Sequence, residues 1–192
     1  MLVEDLQNYH HQFLSIKSEA QHLLGDLTDL QFNWQPSSDR WSIAQCIAHL
    51  LVTGRNSLSH INQAMTEARS QGVFSPGPFR YGVIEKWFVR QMGPRASMKF
   101  KAPQVYRPSA DQLPAEIVTS FYDLQEEFLR CLEAANGIDL SRTKVNNPVS
   151  RWFRLSLGQE LAFNVAHERR HLWQAGLVKK MPGFPHEINS DK

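Results

Sequence analysis

Residues 2–24 read LVEDLQNYHHQFLSIKSEAQHLL, and their pattern indicates how the chain folds. The apolar side chains recur at the 3.6-residue spacing of an α-helix and therefore share one side, which carries Leu2, Leu6, Tyr9, Phe13, Ile16, Ala20, Leu23 and Leu24. Gly25 follows as a typical helix stop. The stretch predicts an amphipathic helix that has to bury its apolar face against other helices.

Three further segments have the same periodicity. A second helix is predicted to begin at the N-cap Ser42 and to end at Gly72, a third to run from after Asp111 to 137, and a fourth from about 156 to 180. A short extra helix is expected within 82–93. No alternating run of strand length is present, so the pattern favours helix packed on helix in an all-α four-helix bundle.

The predicted connections are unusually long for such a bundle. Residues 26–41, 72–110 and 137–156 join the helices, whereas antiparallel neighbours are usually joined by about 2–8 residues. We therefore expect long crossover connections within a single helical bundle domain over residues 1–180, followed by a C-terminal tail at 181–192.

The composition argues against a nucleic-acid-binding protein and against a membrane protein. A chain of 192 residues with 42% hydrophobic and 21% charged residues is ordinary for one globular domain. A net charge of +2 is too small to make nucleic acid the expected partner, and no apolar run approaches the ~20 residues that span a bilayer. Cys46 and Cys131 fall inside predicted helices, which favours reduced thiols and a cytoplasmic location.

One segment is rich in positive charge. Residues 80–107 hold one acid, Glu85, and seven basic residues: Arg80, Lys86, Arg90, Arg95, Lys99, Lys101 and Arg107. The segment is compatible with an anion-attracting lip, but its interleaved prolines favour a solvated loop.

His167 and His171 are the most informative histidines. They lie four residues apart on the predicted fourth helix, where the two side chains share one face and suit two imidazoles on one metal ion. A helical projection places Glu160, Asn164 and Gln174 on the same stripe. A surface pair that faces water is the simpler alternative.

The same stretch, His167-Glu168-Arg169-Arg170-His171, fits the HExxH pattern of zinc peptidases, in which the Glu is the general base. We regard this as a minor alternative because charged arginines fill both variable positions. Glu168 would also point roughly 100° away from His167 around the helix.

A third metal ligand has to come from another helix, and His49 is the best candidate. It shares a polar side of the second helix with Gln45, Asn56 and His60, so periodicity alone is equally compatible with an exposed histidine. His10 and His60 are reserve ligands, and the remaining histidines are assigned to solvent: His11, His22 and His186.

Two segments carry a family resemblance. The first combines Trp34-Gln35-Pro36 with Arg40-Trp41-Ser42-Ile43 and Ala48-His49-Leu50, and the second combines His167, His171 and Gln174. Together they resemble the DinB-like superfamily of small bacterial helical bundles, which includes proteins called metal-dependent hydrolases and relatives that are thiol S-transferases. The match in order extends from about residue 5 to 178.

The resemblance implies a divalent metal ion bound by His49, His167 and His171. Three imidazoles leave a coordination position open, where water or a thiol bound as thiolate would be activated. Zinc or nickel is expected first, and iron, copper or manganese is also compatible. Outer partners of the imidazoles are expected among Gln45, Glu160, Asn164 and Gln174, although Gln45 stands where many relatives carry an acid.

The implied function is a metal-dependent enzyme that acts on a small molecule, either a hydrolase or a thiol S-transferase using a low-molecular-weight thiol. The alternatives are a bundle that binds metal without catalysis and a metal-free interaction bundle. No separate general base is evident in the sequence. The resemblance further implies a homodimer formed through helix faces, for which Trp87, Phe88 and Trp152 are candidates.

Overall fold

The computed structural model describes residues 1–94, 106, 114–146 and 154–185, and the long regular elements of this part are all α-helices. The helices are α1 Glu4–Leu24, α2 Asp29–Asn33, α3 Ile43–Ser70, α4 Val83–Gln91, α5 Pro114–Ala135 and α6 Leu157–Val178. The described ranges contain no strand beyond two isolated bridges, Phe74 with Ile138 and Lys144 with Ser156. The predicted all-α bundle is confirmed, and the short helix α2 was not predicted.

Local sequence sets the ends of α3. The Ser42 hydroxyl accepts a hydrogen bond from the backbone N–H of Gln45 at 3.1 Å, and the Gln45 side-chain oxygen accepts from the backbone N–H of Ser42 at 2.9 Å. Gly72 follows the helix with a φ of +67°, a left-handed conformation that glycine adopts without strain. The predicted cap and stop are therefore both in place.

The first two and the last two of the four long helices are not neighbours in the bundle. Each of α1 and α3 packs against both α5 and α6, so the order around the bundle is α1, α5, α3, α6. The pairs α1 with α3 and α5 with α6 lie on its diagonals. Each connection within a diagonal pair has to cross the end of the bundle, which confirms the predicted crossovers.

Contacts of α1 show the helix directions. Arg169 Nη1 donates to Gln12 Oε1, and Lys179 Nζ donates to the backbone oxygen of Leu23, so α1 and α6 run parallel. In contrast, Lys17 forms an ion pair of 2.6 Å with Glu126, while Val3 at the start of α1 reaches Asn136 just beyond the end of α5. Helices α1 and α5 are therefore antiparallel.

The remaining directions follow from α3. Gly54 lies against Leu124 and Arg69 against Ala134, so α3 and α5 run parallel. A Cβ atom at Gly54 would lie 2.7 Å from Leu124 Cδ2, which shows how closely these helices approach. The bundle is thus up-down-down-up, and the link from α3 to α5 has to return along its length.

The core is mainly apolar and contains a stacked pair of phenylalanine rings. Phe13 of α1 stacks on Phe128 of α5 with ring centroids 4.5 Å apart, and both rings are 0% exposed. Cys46 and Cys131 are free thiols packed in the same core. Burial raises the pKa of each thiol to about 12, so both stay protonated at neutral pH.

Two peripheral segments complete the described fold. Residues 181–185, expected in the tail, pack on the bundle: Phe184 is buried against Trp34, and Gln31 Nε2 donates to the backbone oxygen of Pro185 at 2.8 Å. Residues 186–192 lie outside the described part. Within the basic segment, Arg80, Lys86 and Arg90 are exposed, and the other four basic residues are not described.

No helix among the described residues is both long and apolar enough to cross a bilayer.

Replacing Phe13 with alanine should lower the free energy of unfolding by about 3–5 kcal/mol, because it removes a fully buried ring and leaves a cavity. Leu14, the next residue, is 42% exposed, which makes Leu14→Ala a matched control with an expected change within about 0.5 kcal/mol. Urea unfolding followed by circular dichroism measures both variants. Equal losses in the two would contradict the orientation of α1.

Candidate metal centre

Three imidazoles meet between α3 and α6. His49 lies in the second turn of α3, and His167 and His171 lie one turn apart on α6. His167 Nε2 is 3.3 Å from His49 Nε2 and 3.1 Å from His171 Nε2. One ligand atom from each of the three residues lies within 4.8 Å of the others.

These separations fit a common cation. Two nitrogens that each lie about 2.0–2.1 Å from a tetrahedral zinc ion are themselves about 3.3–3.4 Å apart. The separations of 3.1 and 3.3 Å in this structure are close to that value without any movement of the helices. The three rings therefore form a donor set of the right type and spacing for a divalent transition metal.

A backbone carbonyl sets the tautomer of His49. Its Nδ1–H donates to the backbone oxygen of Tyr106 at 2.7 Å. A carbonyl oxygen can only accept, so the ring proton lies on Nδ1 and the lone pair of Nε2 faces the other two histidines. This is the arrangement in which an imidazole binds a metal through Nε2.

Hydrogen bonds among the three rings cannot satisfy both short nitrogen–nitrogen contacts of the cluster. His49 Nε2 carries no proton, so only His167 can donate across its contact with His49, whereas either His167 or His171 can donate across the contact between those two. With neutral rings, each arrangement of these protons leaves one of the two contacts without a well-aligned hydrogen bond. A cation between the three nitrogens accepts all three lone pairs at once.

Burial keeps the rings neutral. Desolvation lowers the pKa of His167 to about 3, with His49 and then Arg170 as further causes. It also lowers the pKa of His49, and it lowers that of His171 well below the usual range. The rings are therefore already in the neutral form that binds a metal at neutral pH.

Aromatic side chains enclose the imidazoles. Trp41 contacts His49 with ring centroids 4.9 Å apart and stacks on His171 at 5.6 Å. Phe163 stacks on His167 at 5.4 Å, and Phe88 of α4 stacks in turn on Phe163. These rings restrict the imidazole planes and cover part of the cluster.

Of the four expected outer partners, Gln174 is the one that faces an imidazole. Its side chain opposes the fall in the pKa of His171, although His171 Nδ1 has no hydrogen bond of standard geometry among the described residues. Gln45 uses its side-chain oxygen in the cap of α3.

Glu160 and Asn164 form hydrogen bonds with Ser57 of α3 and not with the imidazoles. Glu160 Oε1 accepts from the Ser57 hydroxyl at 2.7 Å, and Asn164 Nδ2 donates to Ser57 Oγ at 2.7 Å. Desolvation raises the pKa of Glu160, and hydrogen bonds from the Ser57 and Asn164 side chains to its carboxyl oppose the rise. Both side chains lie one to two turns from His167 and link α3 to α6.

The HERRH stretch does not place its acid at the metal centre. Glu168 is 2% exposed and faces Gln125 of α5 in the core, and desolvation raises its pKa to about 8. Arg169 donates to Gln12 of α1, and Arg170 Nη1 donates to the backbone oxygen of Gln91 at the end of α4. The geometry therefore does not support the peptidase interpretation.

The other histidines lie apart from the cluster. His11 and His22 are exposed, His10 and His60 are partly exposed, and His186 lies outside the described residues. The sequence analysis did not predict that Tyr106 and Trp41 contact the histidines of the cluster. Trp41 stood within the quoted family motif, which was a usable signal, whereas a backbone carbonyl such as that of Tyr106 leaves none.

Comparisons with known proteins agree with this fold. The family model described as the DinB superfamily matches residues 12–175. A solved structure, YfiT from Bacillus subtilis, superposes with a TM-score of 0.62 at 14% sequence identity, covering 94% of this chain and 89% of YfiT. That protein is described as a probable metal-dependent hydrolase with an unusual four-helix bundle topology. No curated protein sequence matches the chain.

Proposed function

The chain belongs to the DinB superfamily, and from this premise we propose that it is a metal-dependent enzyme that acts on a small molecule, as a hydrolase or as a thiol S-transferase. The ligands in this proposal are His49, His167 and His171. The description of YfiT as a probable metal-dependent hydrolase supports the first of the two reactions.

One observation carries the proposal. Three imidazole nitrogens converge with spacings of 3.1 and 3.3 Å, and the carbonyl of Tyr106 presents His49 Nε2 to the other two rings. Buried polar groups in proteins normally have partners, and a divalent cation is the partner that suits three neutral imidazoles together.

A bound divalent cation supplies Lewis acidity, which activates a water molecule or a thiol. The residues of this chain would hold and orient it. Trp41 and Phe163 restrict the ring planes, and Arg170 adds positive charge near His167 and His171, which lowers their pKa. The same positive charge favours an anionic nucleophile or substrate group beside the cluster.

A catalytic role fits the number of ligands better than a structural one. Structural zinc sites are closed by four protein ligands, whereas catalytic sites keep a position for water or substrate. Only three His, Cys, Asp or Glu residues converge here among those described. A metal-binding bundle without catalysis is the alternative, in which the ion would only reinforce two helices that already pack together.

We propose a cytoplasmic protein because Cys46 and Cys131 are free thiols, as in a reducing compartment, and cell fractionation tests this. Zinc or nickel is proposed first, with iron, copper and manganese as alternatives, because imidazole ligands accept several of these ions.

Protein purified without a histidine tag should contain or take up one equivalent of a divalent metal. His49→Ala, His167→Ala and His171→Ala should each lower the metal affinity by orders of magnitude, because two remaining imidazoles cannot hold the ion tightly. Elemental analysis and competition titration with a chromophoric chelator measure this. Chelation should lower the melting temperature of the wild-type protein, because the ion binds the folded state.

Two variants serve as controls for the histidine series. His22→Ala changes an exposed histidine on α1, and Glu168→Gln changes the residue next to His167 without touching the cluster. Both should bind metal like the wild type. The absence of any stoichiometric ion, with melting unchanged by chelator, would rule out the metal centre, and a Glu168→Gln loss equal to that of His167→Ala would contradict the ligand assignment.

The two reactions are separated by a substrate panel. The metal-loaded protein should either hydrolyse model esters or amides without added thiol, or join a low-molecular-weight thiol to an electrophile, and metal-free protein should do neither. Product analysis by mass spectrometry identifies which bond forms. A metal-loaded protein that is inert across the panel would instead favour the structural role.

We also propose that two copies pair through α4. Val83, Ile84 and Trp87 are 82%, 72% and 52% exposed and form an apolar surface on this helix, whereas Phe88 is half-buried and Trp152 is not described. Analytical ultracentrifugation should show a dimer that Trp87→Lys weakens, while Arg90→Ala on the same helix does not. A wild-type protein that is monomeric at all accessible concentrations would contradict this pairing.

A further inference from the structure

Tyr106 contacts α3 at two separate points, one of them at the candidate metal centre. Its backbone oxygen accepts from His49 Nδ1 at 2.7 Å, and its phenol hydroxyl donates to Asn56 Oδ1 at 3.3 Å. His49 and Asn56 are seven residues apart on α3, which corresponds to about 10.5 Å along the helix axis. Tyr106 therefore lies along two turns of α3, with its carbonyl beside the ligand and its hydroxyl further from it.

The hydroxyl end reaches a polar network that joins α3 to α6. Next to Asn56, the Ser57 hydroxyl donates to Glu160 Oε1, and Asn164 donates both to Ser57 Oγ and, at 2.8 Å, to the backbone oxygen of Glu160. The phenol lies close enough to Glu160 that this carboxylate, after burial, contributes to raising the pKa of Tyr106. The network thus connects the helices that supply the ligands.

The Tyr106 carbonyl can set the tautomer of His49 only while it lies within hydrogen-bond distance of Nδ1. Without an acceptor at Nδ1, the His49 ring is free to carry its proton on Nε2, which would block the ligand atom. Outer partners that fix the tautomer of a metal-binding histidine typically change metal affinity about 10–100-fold when removed. The side chain of Tyr106 makes a second contact with α3, at Asn56, through which that carbonyl can be held in place.

We propose that Tyr106 is a positioning residue for His49: its carbonyl holds the imidazole proton on Nδ1, and its hydroxyl, bound to Asn56 beside the Ser57–Glu160–Asn164 network, holds the carbonyl. This inference rests on the proposed metal centre. It assigns to Glu160 and Asn164 an indirect part in the site, through Tyr106 and not through the imidazoles.

Tyr106→Phe tests the proposal because it removes the hydroxyl alone. Zinc affinity, measured by chelator competition, should fall about tenfold, whereas the melting temperature of the metal-free protein should stay within experimental error of wild type. Asn56→Ala should give a similar loss, and the double variant should lose no more than either single variant, because both remove the same link. Tyr122→Phe on α5, away from the site, is the matched control.

A second measurement does not depend on metal. The nitrogen chemical shifts of the His49 ring in metal-free protein should show the Nδ1–H tautomer in the wild type and a mixture of tautomers in Tyr106→Phe. Unchanged zinc affinity and tautomer in Tyr106→Phe would overturn the proposal, as would additive losses in the double variant. Wild-type protein that binds no metal would overturn the proposed function instead, while the ring shifts would still decide whether Tyr106 sets the tautomer.

Discussion

The antiparallel packing of α3 against α6 is the constraint on which the rest of the structure depends. It brings His49 opposite His167 and His171 and removes the three rings from bulk water. A buried polar group left without a partner costs about 1–3 kcal/mol, and a buried charge costs more. Desolvation therefore keeps the rings neutral and leaves lone pairs unsatisfied. The burial that makes a bare cluster unfavourable also makes it a good set of metal ligands.

The topology explains how this packing arises. In a plain up-and-down bundle the second and fourth helices lie on a diagonal, so His49 could not meet His167. Here the first two and the last two bundle helices occupy the diagonals instead, and α3 becomes a direct neighbour of α6. The long connections are thus a requirement of the site. A chain with short hairpin links could form four similar helices and still not assemble these three imidazoles.

Features that depend on the sequence of a single helix could be predicted, whereas features that depend on contacts between two helices could not. The four long helices have a 3.6-residue period and clear stops, and they could be predicted; α2 has five residues, too few for a period to show. Periodicity placed His49 off the apolar stripe because it reads one helix at a time, yet the side chain is only 4% exposed because Trp41 and α6 cover it. A helical projection likewise predicted the face of α6 on which Glu160 lies but not its partner, Ser57. The contact made by the backbone carbonyl of Tyr106 could not be predicted, because every residue has such a carbonyl.

The HERRH stretch shows most clearly why a motif has to be read in three dimensions. Successive residues of an α-helix point about 100° apart, so five of them turn through more than a full circle. In a helix surrounded by neighbours, each then meets a different one: the histidines meet α3, Glu168 meets Gln125 of α5, Arg169 meets α1 and Arg170 meets α4. The acid cannot face both the core and the metal ligands. The stretch therefore matches the peptidase pattern in residue types only. In the bundle its histidines are the candidate metal ligands, its glutamate packs in the core, and its arginines bond to neighbouring helices.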